Sequence, residues 1–217
     1  FTSGLLTGVP RLETVSNING NIDFTPGRLT ADSLNFHARD TAFLLSGVLK
    51  NFSEPNLDIQ AVSENLDLRT FLALFPELEK KIPFGLAGSA DIKAKYKGPA
   101  FAPSESNITF AAQLNGATVT HAAIPGQITG VTGRLTYEKN LVAWNGLKAE
   151  YKNKVYTLTG SFSNFSRPVI NTRVTSDTLS VKTQVKILNQ AFQFTKLTGD
   201  YFNTSFGAGG NVSYNVS

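Results

Sequence analysis

Apolar and polar residues alternate along most of this chain, the period-two pattern of strands that bury one face. In Ala90–Lys97 it sets Ile92, Ala94 and Tyr96 against Lys93, Lys95 and Lys97. Asn107–Leu114 repeats it with Ile108, Phe110 and Leu114, and Lys154–Phe162 sets Tyr156, Leu158 and Phe162 against threonine and serine. Val169–Thr175 and Asn211–Val216 behave alike. β-branched and aromatic residues fill these runs, as pleated, half-buried surface requires. Pro26-Gly27, Lys97-Gly98-Pro99, Pro125-Gly126 and Asn145-Gly146 punctuate them. Asn145-Gly146 predicts a two-residue hairpin turn. One segment departs: Asp67–Phe75 is rich in helix formers, starts on a capping residue and is followed by Pro76, which predicts a short helix over 67–75.

The chain also repeats itself. A shift of 113 positions aligns residues 14–66 with 127–179 without a gap and with ten identities. Gly20 meets Gly133, Leu34 meets Leu147, Leu45 meets Leu158 and Gly47 meets Gly160. Asn51-Phe-Ser-Glu-Pro55 then meets Asn164-Phe-Ser-Arg-Pro168, and Leu66 meets Leu179. Apolar classes agree in between, as with Ile22 and Leu135 or Phe24 and Tyr137. The repeat predicts the end of one unit over 1–82, closing in the helix, a whole unit over 83–192 and the start of another over 193–217. Each unit has room for six or seven strands. Stacked units predict an elongated, quasi-one-dimensional body.

The run Ser16-Asn-Ile-Asn-Gly-Asn-Ile-Asp-Phe24, the Leu45-Ser-Gly47 strand end, Asn51-Phe-Ser-x-Pro55 and Asn65-Leu-Asp-Leu68 together resemble the AsmA-like family of bacterial envelope proteins, related in architecture to TamB. The second copy keeps the frame from Thr129-Gly-Val-Thr-Gly-Arg-Leu-Thr-Tyr137 to Leu179-Ser-Val181, and Leu86 to Ile92 is similar to the start of a unit. The resemblance spans most of the chain and rests on Gly, Pro and apolar spacing. Thr132 stands where the first copy has Asn19, which weakens the family's asparagine-glycine turn. The resemblance implies an all-β, long, curved antiparallel sheet with a continuous apolar groove. It further implies a non-enzymatic role in carrying lipid between inner and outer membranes, a periplasmic location and a membrane anchor elsewhere in a longer parent. Its partners would be a phospholipid or other acyl-chain lipid and neighbouring repeats of the same chain.

Composition narrows the chemistry. With 0 cysteines, disulfides, thiolate metal sites and a cysteine nucleophile are excluded. With 0 methionines, and Phe1 at the first position, the chain is expected to be a segment of a longer or processed protein. No apolar run approaches the roughly 18 residues of a membrane-spanning helix. His37 and His121 stand 84 positions apart with no acidic company at ligand spacing beyond Asp40, so no metal site is expected. No Gly-x-Ser-x-Gly elbow supports a catalytic serine, and Gly207-Ala-Gly-Gly210 reads as a bulge or tight turn instead of a phosphate loop. Glu77, Glu79, Lys80 and Lys81 read as a solvated connector, and the Asn-x-Ser/Thr triplets as incidental in so Asn-rich a chain. No enzyme, cofactor or metal is expected.

Charge is uneven. Residues 1–92 carry 7 basic and 11 acidic groups, whereas residues 93–217 carry 13 and 5. The densest basic element, Lys93, Lys95 and Lys97, is a candidate for an anionic partner such as lipid headgroups, or a solvated face that discourages edge pairing. No aromatic RNA-binding motif accompanies it, so no nucleic-acid partner is expected. The residues that would line an acyl-chain groove are Ile92, Tyr96, Ile108, Phe110, Leu114, Leu135, Tyr137, Tyr156, Leu158, Phe162, Phe202 and Phe206. Periodicity alone does not separate such a groove from the closed core of a structural or adhesive module, or from a transmembrane β-barrel.

Overall fold

The computed structural model describes residues 4–9, 13–38, 41–73, 85–102, 107–121, 124–164, 167–188, 191–202 and 204–213. The strands are β1 (Gly4–Val9), β2 (Glu13–Thr25), β3 (Arg28–Ala38), β4 (Thr41–Lys50) and β5 (Asn56–Asp67). The one described helix, α1 (Leu68–Ala73), follows. Then come β6 (Gly85–Pro99), β7 (Asn107–Thr120), β8 (Gln127–Glu138), β9 (Leu141–Tyr151) and β10 (Lys154–Ser163). The last are β11 (Val169–Thr175), β12 (Leu179–Leu188), β13 (Ala191–Tyr201) and β14 (Thr204–Ser213). Each strand pairs antiparallel with the next in sequence, giving one 14-stranded sheet in the order β1 to β14. β1 and β14 do not pair, so the sheet is open and the barrel alternative is overturned.

The sheet is a single layer. Among the described residues the extensive packing between elements is all between sequential strands or between α1 and β5 or β6. The chain exposes 14031 Å², against about 9,700 Å² for a compact monomer of its mass. Even so, Ala90 and Ala117 are 0% exposed. Larger neighbours on the same face, including Leu86, Phe110, Val119 and Leu135, close over this core, which makes that face concave.

Curvature has a visible cause. Register breaks recur on successive strands, and left-handed residues mark them: Asn17 on β2, Asn65 on β5, Gly88 on β6, Gly116 on β7, Gly130 on β8 and Gly146 on β9. Each bulge bends its strand and adds twist, so a line of them curls the sheet. Gly146 thus corrects the turn expected at Asn145-Gly146: it is a bulge within β9, with φ of 67°. The two-residue turns that flank β9 are Lys139-Asn140 and Lys152-Asn153, with φ between 48° and 61° at all four residues. Asparagine at the second position tolerates the left-handed conformation, but the absence of glycine hid both turns. Gly207–Gly210 lies inside β14, opposite a register irregularity.

Asp91 ties the bulge line together. Its carboxylate accepts the Asn65 backbone N–H at 2.9 Å and the Asn115 amide at 3.0 Å. Asp67 caps α1 by accepting the Thr70 N–H at 2.7 Å. These hydrogen bonds hold both carboxyls below the usual aspartate range, led by the Asn65 N–H at Asp91 and the Thr70 N–H at Asp67. A depressed folded-state pKa contributes stability in full above the ordinary carboxylate pKa of about 4 and loses it as pH falls through the folded value. Urea midpoints are therefore expected to drop between pH 5 and pH 3, and to drop less in Asp91→Asn. Equal losses in the two proteins would show that Asp91 is not a source of the acid sensitivity.

The 113-residue shift superposes β3 on β9 and β4 on β10 residue for residue. The shared residues have shared causes. Asn51 and Asn164 both take left-handed φ, 55° and 56°. At Gly47 a Cβ would overlap the Asp58 carbonyl oxygen, and at Gly160 the Asn171 carbonyl oxygen, residues themselves 113 apart. Gly160 also lies beneath Trp144, whose Cζ2 would be 2.8 Å from an added Cβ. Gly160→Ala should cost about 1–3 kcal/mol through overpacking and shift the Trp144 emission maximum. Unchanged emission and unchanged stability would mean the close approach is not real. The correspondence ends at Leu66 and Leu179: Leu66 closes β5 ahead of α1, whereas Leu179 opens β12 after the short 176–178 link. The strand ladder continues from β5 to β6 and from β12 to β13, past the unit limits expected at 82 and 192.

Of the helix expected over 67–75, Leu68–Ala73 is observed, and residues 74 and 75 lie outside the described residues, as do Glu77, Glu79, Lys80 and Lys81. Leu68 and Leu72 are buried, and Leu68 joins the cluster of Leu66, Ala90, Ile92, Ala112, Leu114, Ala117, Val131 and Ala149. The helix therefore covers part of the concave face, and no other described element packs on that face.

Candidate functional site: the concave apolar face

Strand register turns the alternating pattern into lateral rows. One row begins at Gly20 on β2 and Leu34 on β3 and continues through Leu45, Ala61, Ala94, Phe110, Tyr137 and Val142. It then runs through Phe162, Ile170, Val185 and Phe194 to Gly210 on β14. Thirteen strands contribute, and the row holds no charge and one hydroxyl, that of Tyr137. At the usual strand spacing it measures about 55–60 Å along the sheet. Phe110, Tyr137, Val142, Phe162, Ile170, Val185 and Phe194 are all half-buried. A second row follows Ser63, Ile92, Ala112, Leu135, Trp144 and Gly160, and turns polar at Thr172 and Thr183 before Leu197 and Ala208.

Eleven of the twelve expected groove residues share this face. Ile92 and Leu114 are buried near α1, and Tyr96, Phe110, Leu135, Tyr137, Tyr156, Leu158 and Phe162 are half-buried. Ile108 and Phe206 are more exposed, at 40% and 41%. Phe202 is the exception: it sits in the turn after β13 with φ of 45° and packs edge-on against Tyr201. The Tyr96 hydroxyl donates to the Pro99 carbonyl, and Tyr137 Oη lies 3.4 Å from Asn140 Oδ1. Both phenols thus spend their polar tips at the rim of the face.

The most informative residue that sequence reasoning missed is Trp144. Placing a turn at Asn145-Gly146 cut its strand short and hid the alternation of Val142 and Trp144. Ile170, Val174, Val181, Val185, Phe194 and Leu197 were also passed over, although strict alternation in β11 and β12 carried the signal.

The three lysines lie on the opposite, convex face and are exposed. Lys97 pairs with Asp58 at 3.2 Å, with both side chains largely solvated, so the bridge contributes little. Lys93 and Lys95 border a hollow that also contains Glu138. His37 is exposed on the convex face with Asn17 Nδ2 3.1 Å from its Nδ1, and Asp40 lies outside the described residues. Among the described residues no three His, Asp or Glu side chains group as metal ligands, and no helix is long and apolar enough to cross a membrane.

Comparison of the chain with known protein families, with curated proteins and with solved structures finds no match. The functional argument therefore rests on this geometry.

Proposed function

We propose that this chain is a non-enzymatic segment of a cell-envelope protein, AsmA-like in kind, whose concave β-face shields lipid acyl chains in transit between inner and outer membranes. The observation that carries the reading is the charge-free row from Gly20 to Gly210 on a single-layer sheet. An apolar face of this extent must be hidden from water. In a closed adhesive or structural module a second layer would hide it; here the row from Gly20 to Phe194 is half-buried, Gly210 is exposed, and no second layer packs on them among the described residues. Acyl chains fit such a face because each methylene removed from water contributes about 0.8 kcal/mol without requiring a polar partner. Aromatic residues spaced along the row offer broad contacts and no fixed hydrogen-bonding pattern, which suits a chain that slides. Neighbouring repeats of the parent would extend the row at the open edges, in a periplasmic protein anchored to a membrane elsewhere.

Native mass spectrometry of the purified chain tests the reading. Adducts of phospholipid mass, removed by solvent extraction, are expected. A preparation free of lipid that also takes up none from vesicles would contradict it.

A further inference from the structure

On the convex face, behind the apolar row, β10 to β13 form a hollow of about 350 Å³ whose charged lining is entirely basic: Arg173, Lys182 and Lys196. Arg173 and Lys182 are direct cross-strand partners. Like charges placed opposite each other destabilise a sheet, and none of the three cations has a carboxylate within 4.0 Å among the described residues. The uncharged groups are oriented to match. Thr195 Oγ1 donates to Gln184 Oε1 at 2.6 Å, and Gln184 Nε2 donates to Asn171 Oδ1 at 2.7 Å. Both amide oxygens are thereby occupied, and Asn171 Nδ2 is left as a donor. Thr159, on the far wall, accepts the Gly146 N–H at 3.2 Å and lies 3.4 Å from Asn145 Oδ1. The side-chain groups still free to bond in this hollow are therefore N–H donors around three positive charges and one buried, unpartnered hydroxyl, that of Thr183, which can also donate.

We propose that this hollow binds a phosphate group. A tetrahedral oxyanion offers acceptors only, so it meets guanidinium, ammonium and amide N–H groups without leaving any partner unmatched. It also relieves the Arg173–Lys182 repulsion, which explains a like-charge pair in mid-sheet. The Lys93/Lys95 hollow lacks this character because Glu138 shares it. The charged and amide side chains at the site point away from the apolar row, so the phosphate belongs to a ligand other than one whose tail lies in the groove at the same position. The proposal therefore stands independently of lipid carriage.

The test uses two probes on the whole chain: inorganic phosphate followed by calorimetry, and sedimentation with phosphatidylglycerol vesicles against phosphatidylcholine vesicles, both at low salt. The variant pair is Arg173→Gln and Lys182→Gln, with Lys95→Gln as control. Phosphate binding that falls at least tenfold in each variant, and not in the control, supports a site for free or soluble phosphate. Selective sedimentation with phosphatidylglycerol, lost in the same variants, supports a headgroup source. Phosphate should raise the melting temperature of the wild type and not of the variants, which should themselves melt no lower than the wild type. Binding of neither probe, or binding that the variants leave unchanged, overturns the site.

Discussion

Phe162→Asp is expected to cut acyl-chain capture about 100-fold while leaving the β-sheet circular dichroism intact. Phe162 stands at the middle of the charge-free row, between Val142 and Ile170. A lipid chain crossing it would lose contact worth about three or four methylenes, at about 0.8 kcal/mol each. It would also have to strip water from a carboxylate, which adds to the loss. The fold should survive because this position is half-buried and not enclosed, so the new carboxylate stays hydrated without disrupting a core. Leu158→Asp, on the neighbouring row opposite Leu147 and Val174, should act in the same direction. Lipid retention by extraction and chromatography is the readout. Retention unchanged in both variants would place the lipid path elsewhere.

Leu66→Ala is expected to cost about 3 kcal/mol, within the range of about 2–5 kcal/mol for a buried leucine. Leu66 is 1% exposed and is the largest fully buried side chain described. It closes the cluster beneath α1, where Leu68 packs with it against Ala90 and Leu114. Its cavity could not be filled by water without exposing the helix. Leu45→Ala makes the contrast. Leu45 lies on the same face but is half-buried, so it loses only part of its transfer energy, about 1 kcal/mol. Urea denaturation of both separates the two situations. Equal costs would mean that the sheet carries a uniform core and that α1 does not mark its centre. Because the described elements pack mainly on their sequence neighbours, the Leu66→Ala loss should also be local, with faster amide exchange in β5 and β6 than in β12 and β13.

Much of this architecture was legible in the sequence because a strand's period is two and its faces are therefore countable. The runs expected over 90–97 and 154–162 lie inside β6 and β10 for that reason. The repeat was legible because a few backbone constraints recur: a strand too close for a Cβ at Gly47 and Gly160, and a left-handed residue at Asn51 and Asn164. Two kinds of information were not legible. Bulges change the meaning of a dipeptide, so Asn145-Gly146 imitated a hairpin while the true turns at Lys139-Asn140 and Lys152-Asn153 carried no glycine. Lateral rows depend on register between strands, which periodicity along one strand does not contain. The convex hollow shows this best: Arg173, Lys182 and Lys196 lie on three strands and converge only once those strands are aligned. Phe202 failed for the opposite reason, since its apolar character suggested a face that its turn position does not share.

Trp144 gives the most direct test of the acyl-chain groove. It is the chain's 1 tryptophan, and it lies on the concave face between Leu135 and Gly160. The chain is incubated with vesicles of phospholipid brominated along its acyl chains, separated from them by chromatography, and compared with chain treated with the unbrominated lipid. The groove predicts lipid co-eluting with the protein and emission strongly quenched by the brominated form alone. Co-eluting lipid with undiminished Trp144 emission, or no co-eluting lipid at all, would contradict it.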